Sequence, residues 1–373
     1  MLLKIIETED LLNTLLPQKR LEEYAPTDLL IAAGNWSKQV WAIAKSLGPM
    51  PLTDKQIADG LHLANNPVHI FGVHRSGTTL LRDMLDGHPE LCVLPSEGTW
   101  YTNQEAKLKY LPAHEWQMHL GTEWLRRLSN PINQSPYWLL GRSNNERSPY
   151  VDFARCVMAW WQVLDHRPDT QWPHLAIVLA YATCTNGLQA KYWVDKTPAN
   201  ERYLHRIQQE MPDAKMIHMI RHPLPTLASR KKMEPSVSLR SALRDIRRSF
   251  KVAIAQYALY NPQFLLMPYE DLCSDPTKAV SQMVSFLNIS PSTTLLQPTV
   301  AGRAAKANSS FHSDGKAGEI RAASDHAQQQ CLSKAEQKII SAYLGDLSAQ
   351  LNYPLPALSP IQTWYPRLKY RLF

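Results

Sequence analysis

VHIFGVHRSGTTLLRDMLDGHPELCVLPSE, residues 68–97, decides how the rest of the chain is read. The apolar run over 68–73 predicts a buried strand, the basic turn 74–77 follows, and an amphipathic stretch opening at Thr78 predicts a helix. A strand that ends in a glycine-bounded turn and feeds a helix N-terminus has the build of a phosphate cradle. Backbone N–H groups at the helix start, with the helix dipole behind them, hold an anion without a metal or a base-specific contact. Gly72 and Gly77 let the backbone approach a ligand, while Ser76, Thr78 and Thr79 add hydroxyl donors. A turn of this composition also joins core strands to helices where no ligand binds, so the loop alone leaves both readings open.

The departure from the ordinary nucleotide loop carries more information than the match. In G-x-x-x-x-G-K-[ST] a lysine reaches the terminal phosphates and the hydroxyl residue meets magnesium. Gly72 and Gly77 keep that spacing, but Thr78 stands at the lysine position and the positive charge has moved forward to Arg75.

A second segment, AKMIHMIRHPLPTLASR (214–230), repeats the logic. A strand over 215–220 ends directly at Arg221, and Ser229 follows eight residues later on the next helix. The guanidinium fork and a short hydroxyl suit a phosphate. Taken alone, Arg221 reads equally as a strand-end arginine paired with a carboxylate. Two such phosphate sites on one sheet fit a nucleotide phosphorylated at both ends.

Strands are also expected at 192–194 and 263–267, with helical sequence after 192–194 and 215–220. This strand-then-helix rhythm predicts an α/β fold with a central parallel sheet, helices on both faces, and ligands gathered at the strands' carboxyl ends. Residues 1–66 read as an N-terminal helical extension, with a helix start signal at Thr53 and Asp54. Seven of the eleven tryptophans fall between Trp100 and Trp172, and six prolines interrupt the stretch from Pro112 to Pro173. We read about 100–190 as a mostly helical insertion over the sheet, within a domain spanning 67–373. Most of those rings are expected in a core, with an aromatic wall for a substrate as the alternative.

Composition bounds the rest. The chain has 373 residues, 44% hydrophobic and 20% charged, with a formal charge of +7, which suits an anionic ligand. The basic residues are dispersed except around 240–251 (RSALRDIRRSFK), which reads as a solvated helix face, so no nucleic-acid partner is expected. Cys92, Cys156, Cys184, Cys273 and Cys331 are far apart and odd in number, giving neither a zinc pattern nor a disulfide framework. Glu7, Glu9 and Asp10 spoil the first residues as a signal peptide, and no apolar run approaches a membrane span. A cytoplasmic location is expected.

With both phosphate motifs in place, the chain resembles the sulfotransferases that use 3′-phosphoadenosine 5′-phosphosulfate (PAPS), over roughly residues 67–355. The donor loop is most similar to that of tyrosylprotein sulfotransferases and related bacterial enzymes. WVDKTPANERYL (193–204), YEDLCSDP (269–276) and NSSF (308–311) are further matches. The resemblance implies a P-loop-like three-layer fold and a metal-independent, in-line transfer of a sulfuryl group to an acceptor hydroxyl on a small molecule, glycan, lipid or tyrosine. It implies that Arg75, Ser76, Gly77, Thr78 and Thr79 hold the 5′-phosphosulfate, and that Arg221 and Ser229 hold the 3′-phosphate. Glu97 is then the base that takes the acceptor proton, although it sits one residue further on than in the tyrosylprotein type. Lys196, with Arg75, opposes the charge on the leaving bisphosphate, and Asn308 and Ser309 close over the donor. His88, His74 and His114 are the other candidate bases; His88 is expected to cap a helix end and His74 to line the cradle. Asp195 is expected either to orient Lys196 or to cap the following turn. PAPS is a cosubstrate on this reading, and no metal is implied.

Two other readings stay open: a P-loop kinase with a degenerate loop, and a non-catalytic nucleotide-binding protein on the same fold. The C-terminal WYPRLKYRLF (364–373) fits either peripheral contact with a membrane or partner, or docking on its own domain.

Overall fold

The computed structural model describes residues 26–130, 138–141, 148–167, 170–259, 261–306, 316–321 and 331–359. Asn308, Ser309, the C-terminal 364–373 and the first part of the N-terminal extension lie outside them.

Five parallel strands form the centre: β1 (Pro67–Phe71), β2 (Leu91–Val93), β3 (Tyr192–Lys196), β4 (Lys215–Ile220) and β5 (Phe264–Pro268). Their order is β2-β3-β1-β4-β5. From β1 the chain runs to the edge strand β2, returns to β3 beside β1, and then crosses to β4 and β5 on the other side, so β1 lies between β3 and β4 where the winding changes sides. Crevices at the carboxyl ends of such strands collect ligands. A short antiparallel pair, β6 (Thr299–Val300) and β7 (Arg303–Ala304), stands apart.

The period of two along each strand sorts side chains into two layers. Val68, Ile70, Val194, Ile217, Met219 and Met267 pack with the helices Thr78–Leu85, Tyr269–Ser274 and Pro276–Leu287. On the opposite face Phe71, Met216 and Phe264 meet Leu204 and Val252, and Trp193 joins the large helical cluster. All five residues of β1 are buried, as a strand covered on both faces requires. The expected three-layer α/β arrangement is observed.

The helices Pro26–Leu47 and Asp54–Ala64 share that helical cluster with Ala113–Ser129, Pro149–Leu164 and Trp172–Cys184. The Thr53 signal is a full capping box: Thr53 Oγ1 accepts from Gln56 N at 3.2 Å and Gln56 Oε1 accepts from Thr53 N at 2.9 Å. Trp100, Trp124, Trp138 and Trp160 are buried in the cluster, so these rings build core. On the helix Leu239–Ala258, Arg240, Arg244, Arg248 and Lys251 are exposed, matching the solvated face expected there.

Two of the boundaries that differ from the sequence reading bear on the site. β1 stops at Phe71 rather than Val73, leaving Gly72 and Val73 to begin the turn. β3 continues through Asp195 to Lys196 because Ile70 of β1 pairs with Lys196. Lys196 is therefore the last residue of the strand rather than part of the turn after it.

Candidate active site

The loop between β1 and the helix Thr78–Leu85 is shaped by what its backbone cannot accommodate. At Gly72, with φ of 149°, a Cβ would lie 2.3 Å from the Met219 carbonyl oxygen, so only glycine lets β1 pass β4 this closely. At Gly77, φ is 98° and a Cβ would strike the Tyr269 ring at 2.2 Å. Arg75 itself adopts a left-handed φ of 73°, a strained state for a side-chain-bearing residue. Gly77 caps the helix without a side-chain bond, so the first N–H groups point into the loop. Ser76 is fully buried and its Oγ has no hydrogen-bond partner, an arrangement that an anion oxygen in the loop would satisfy. Thr78 is buried and Thr79 exposed.

The two basic motifs meet. Arg75 Nε donates to Ser229 Oγ at 3.1 Å, and Arg221 Nη1 donates to the Arg75 carbonyl at 3.2 Å. Ser229 lies on the helix Pro223–Met233, which starts two residues after Arg221 with proline in its first turn. Burial depresses the Arg75 guanidinium below the usual arginine range, with Glu234 opposing and Arg221 adding to the shift. The Arg221 guanidinium lies 4.3 Å from the centroid of the Tyr269 ring, a cation–π contact the sequence reading missed. Its one signal was the tyrosine that opens YEDLCSDP, directly after β5.

The other two candidates also meet. Lys196 Nζ lies 2.5 Å from Glu97 Oε1. Lys196 is buried, whereas the Glu97 side chain is 38% exposed and so open to an incoming group. Desolvation pushes the Lys196 ammonium below its ordinary range, with Glu97 working against the shift. Burial pushes the Glu97 carboxyl up, but Lys196, His74 and Arg82 outweigh it and hold the group below its usual range. Lys196 is brought beside the cradle by the backbone: Thr197 N donates to Ile70 O and Ala199 N to Gly72 O, each at 3.0 Å.

Asp195 does not orient Lys196. Consecutive strand residues point to opposite faces, and Asp195 instead accepts from Gly98 N at 2.8 Å and from the Thr197 hydroxyl at 3.0–3.1 Å. Thr197 Oγ1 in turn accepts from Thr99 N at 3.0 Å. Burial raises the Asp195 carboxyl to about 6, with the Gly98 N–H and Thr197 hydroxyl pulling the other way.

The histidines separate by position. His74 is half-exposed, 3.8 Å from Glu234, and feels the charges of Glu97 and Lys196. His88 is buried away from the cradle, with Glu90 N donating to Nδ1 at 3.2 Å and Nε2 2.9 Å from the Ser290 carbonyl, so it ties two turns together. His114 is exposed beside Glu115. Among the described residues no group of three His, Cys, Asp or Glu side chains is placed to hold a metal ion, and no helix is long and apolar enough to cross a membrane. None of the five cysteines is joined in a disulfide.

A family model described as the Sulfotransferase family matches residues 67–293, a span that contains the cradle, Glu97, Lys196, Arg221 and Ser229. The chain belongs to the sulfotransferase family. Several solved sulfotransferases are similar in structure. The sulfotransferase domain of the Synechococcus PCC 7002 olefin synthase is 21% identical, covers 82% of this chain and 94% of its own, and gives a TM-score of 0.40. The sulfotransferase domain from the curacin biosynthetic pathway is 18% identical, with coverages of 78% and 98% and a TM-score of 0.41. Sulfotransferase STF1 from Mycobacterium tuberculosis H37Rv is 16% identical, with coverages of 72% and 78% and a TM-score of 0.39. Membership of this sulfotransferase in its family rests on the family match and not on these likenesses. No curated protein matches in sequence.

Proposed function

We propose that this sulfotransferase moves a sulfuryl group from PAPS to an acceptor hydroxyl. The observation that carries the reading is the junction of two phosphate-binding motifs 154 residues apart in sequence, where Arg75 meets Ser229. A donor phosphorylated at both ends of one nucleoside needs two anion sites at the carboxyl ends of neighbouring strands. The helix start at Gly77 and Thr78, with the Ser76 hydroxyl, suits one end, and Arg221 with Ser229 suits the other. Arg75, whose backbone belongs to the first site and whose guanidinium reaches the second, joins them.

Glu97 and Lys196 divide the chemistry. The acceptor oxygen attacks sulfur as the bond from sulfur to the bridging phosphate oxygen breaks, and the acceptor proton passes to the Glu97 carboxylate. The Lys196 ammonium opposes the charge that grows on the departing bisphosphate, the logic of a preorganised oxyanion site. Without donor the two groups neutralise each other, which keeps Glu97 a weak base. A bound donor gives Lys196 a competing anionic partner, and the basicity of Glu97 rises as the pair loosens. All of these groups act without a metal. We place the protein among cytoplasmic enzymes whose partners are PAPS and a hydroxyl compound.

Calorimetry with adenosine 3′,5′-bisphosphate in EDTA tests the donor assignment. Binding is expected, with Arg75→Ala and Arg221→Ala each weakening it; no binding by the folded protein would end the reading. Radiolabelled PAPS incubated with fractionated cell extract then reports which hydroxyl compounds acquire label.

A further inference from the structure

Glu97 sits on an irregular strap between β2 and the π-helical turn Trp100–Gln104. Side chains from three separate parts of the chain hold the backbone of that strap. Arg82 Nη1, on the cradle helix, donates to Pro95 O at 2.9 Å. Asp195 and Thr197, at the end of β3, take the N–H groups of Gly98 and Thr99. Arg127, in the last turn of Ala113–Ser129, brackets the strap from the insertion side. Its Nη1 donates to the carbonyl of Glu97 itself and its Nη2 to Thr99 Oγ1 at 3.1 Å. Arg127 is aimed in turn by Glu123, which accepts from its Nε at 3.0 Å, and by Trp124, whose ring lies 5.4 Å from the guanidinium.

These anchors are not equivalent. Asp195 and Thr197 fix residues 98 and 99, and Arg82 fixes residue 95. Of these hydrogen bonds, those of Arg127 alone reach Glu97. Thr99 has a left-handed φ of 54°, a conformation that persists only where its surroundings over-determine it. The Glu97 carboxylate has its hydrogen bond with Lys196, so the rotation of the strap at residue 97 sets whether that contact forms.

We propose that Arg127 is a positioning residue for Glu97: the helical insertion, through this one guanidinium, sets the contact between the base and Lys196. The proposal rests on the reading of Glu97 and Lys196 as the reacting pair, and it assigns the insertion a part in the chemistry apart from any role in holding an acceptor.

The test reads the pair directly and needs no acceptor. In full-length protein labelled with 13Cε-lysine, the Lys196 amine is followed through a pH titration by NMR and assigned with Lys196→Arg. Glu97→Gln removes the carboxylate that supports the ammonium, so the Lys196 midpoint falls. Arg127→Met is expected to lower it by at least half of that shift, while Arg127→Lys, which still donates to the Glu97 carbonyl, stays nearer the unaltered protein. Gly98→Ala is the second variant: its Cβ would lie 2.7 Å from the Asp195 carboxylate, lifting the strap from the other side, with the same shift expected. Bisphosphate affinity in Arg127→Met is expected within twofold of the unaltered protein. A Lys196 midpoint unmoved by Arg127→Met, with Glu97→Gln shifted, overturns the proposal. So does a large loss of bisphosphate affinity in Arg127→Met, which marks a role in general folding. Failure of the unaltered protein to bind bisphosphate sinks the donor reading instead, and the titration still decides the position of Glu97.

Discussion

The cradle and the Glu97 strap both lie at the carboxyl ends of the sheet's strands, yet they are built in opposite ways. Cradle residues 72–78 are contiguous, and the turn is fixed by backbone geometry at Gly72, Arg75 and Gly77. The strap has few backbone bonds of its own and is held by side chains that arrive from the cradle helix, β3 and the insertion. An anion site made of backbone N–H groups has to be rigid before its ligand arrives. On the proposed role, Glu97 would trade its partner Lys196 for a proton, so it has to be held and still able to respond, which adjustable side-chain contacts provide.

The largest expected effect breaks the strap's chemistry and spares the cradle. Glu97→Gln should lower the transfer rate by about 10²–10⁴-fold with bisphosphate affinity unchanged, as single-turnover assays and calorimetry would record. An equal loss in both would place Glu97 in donor binding. The converse break is Gly72→Val, which puts a branched side chain where a Cβ already meets the Met219 carbonyl at 2.3 Å. A stability loss of about 3 kcal/mol or more, read by urea denaturation, should accompany loss of bisphosphate binding.

Asp195→Asn sharpens the contrast through pH. Its folded-state carboxyl is raised from an ordinary value near 3.8 to about 6. The favourable protonated form is fully present below about pH 4 and is lost as pH rises through 6. That loss is about 3 kcal/mol. The asparagine keeps an acceptor oxygen for Gly98 and Thr197 but does not ionise. Its stability relative to the unaltered protein should therefore climb between about pH 4 and 6 and level off above that, and a flat difference would refute the assigned shift. Tyr269→Leu, the smallest effect, removes the ring beneath Arg221. A loss of about 1 kcal/mol, several-fold in bisphosphate affinity, is expected from calorimetry, with Tyr269→Phe largely restoring it.

The same contrast explains what could be read from sequence. The cradle was legible because its determinants are consecutive: an apolar run, two glycines at fixed spacing and hydroxyls at a helix start. Arg221 and Ser229 were legible for the same reason, lying eight residues apart across a strand end. The end of β3 was misplaced because Asp195 and Lys196 look like turn residues, and only pairing with β1 keeps them in the strand. From the sequence Asp195 was a neighbour of Lys196; in the fold the pleat sends them to opposite layers. Arg127 left no local trace. It stands 30 residues from Glu97, next to Arg126, and belongs to no motif that the sequence marks.

The tie from Arg127 to the Glu97 carbonyl bears on how such enzymes can be re-engineered. A chimera that replaces the Trp-rich segment to recruit a new acceptor would also discard the guanidinium that steadies the carboxylate. The graft should bind its intended compound and turn over poorly, until an arginine is restored in the final turn of the transplanted helix.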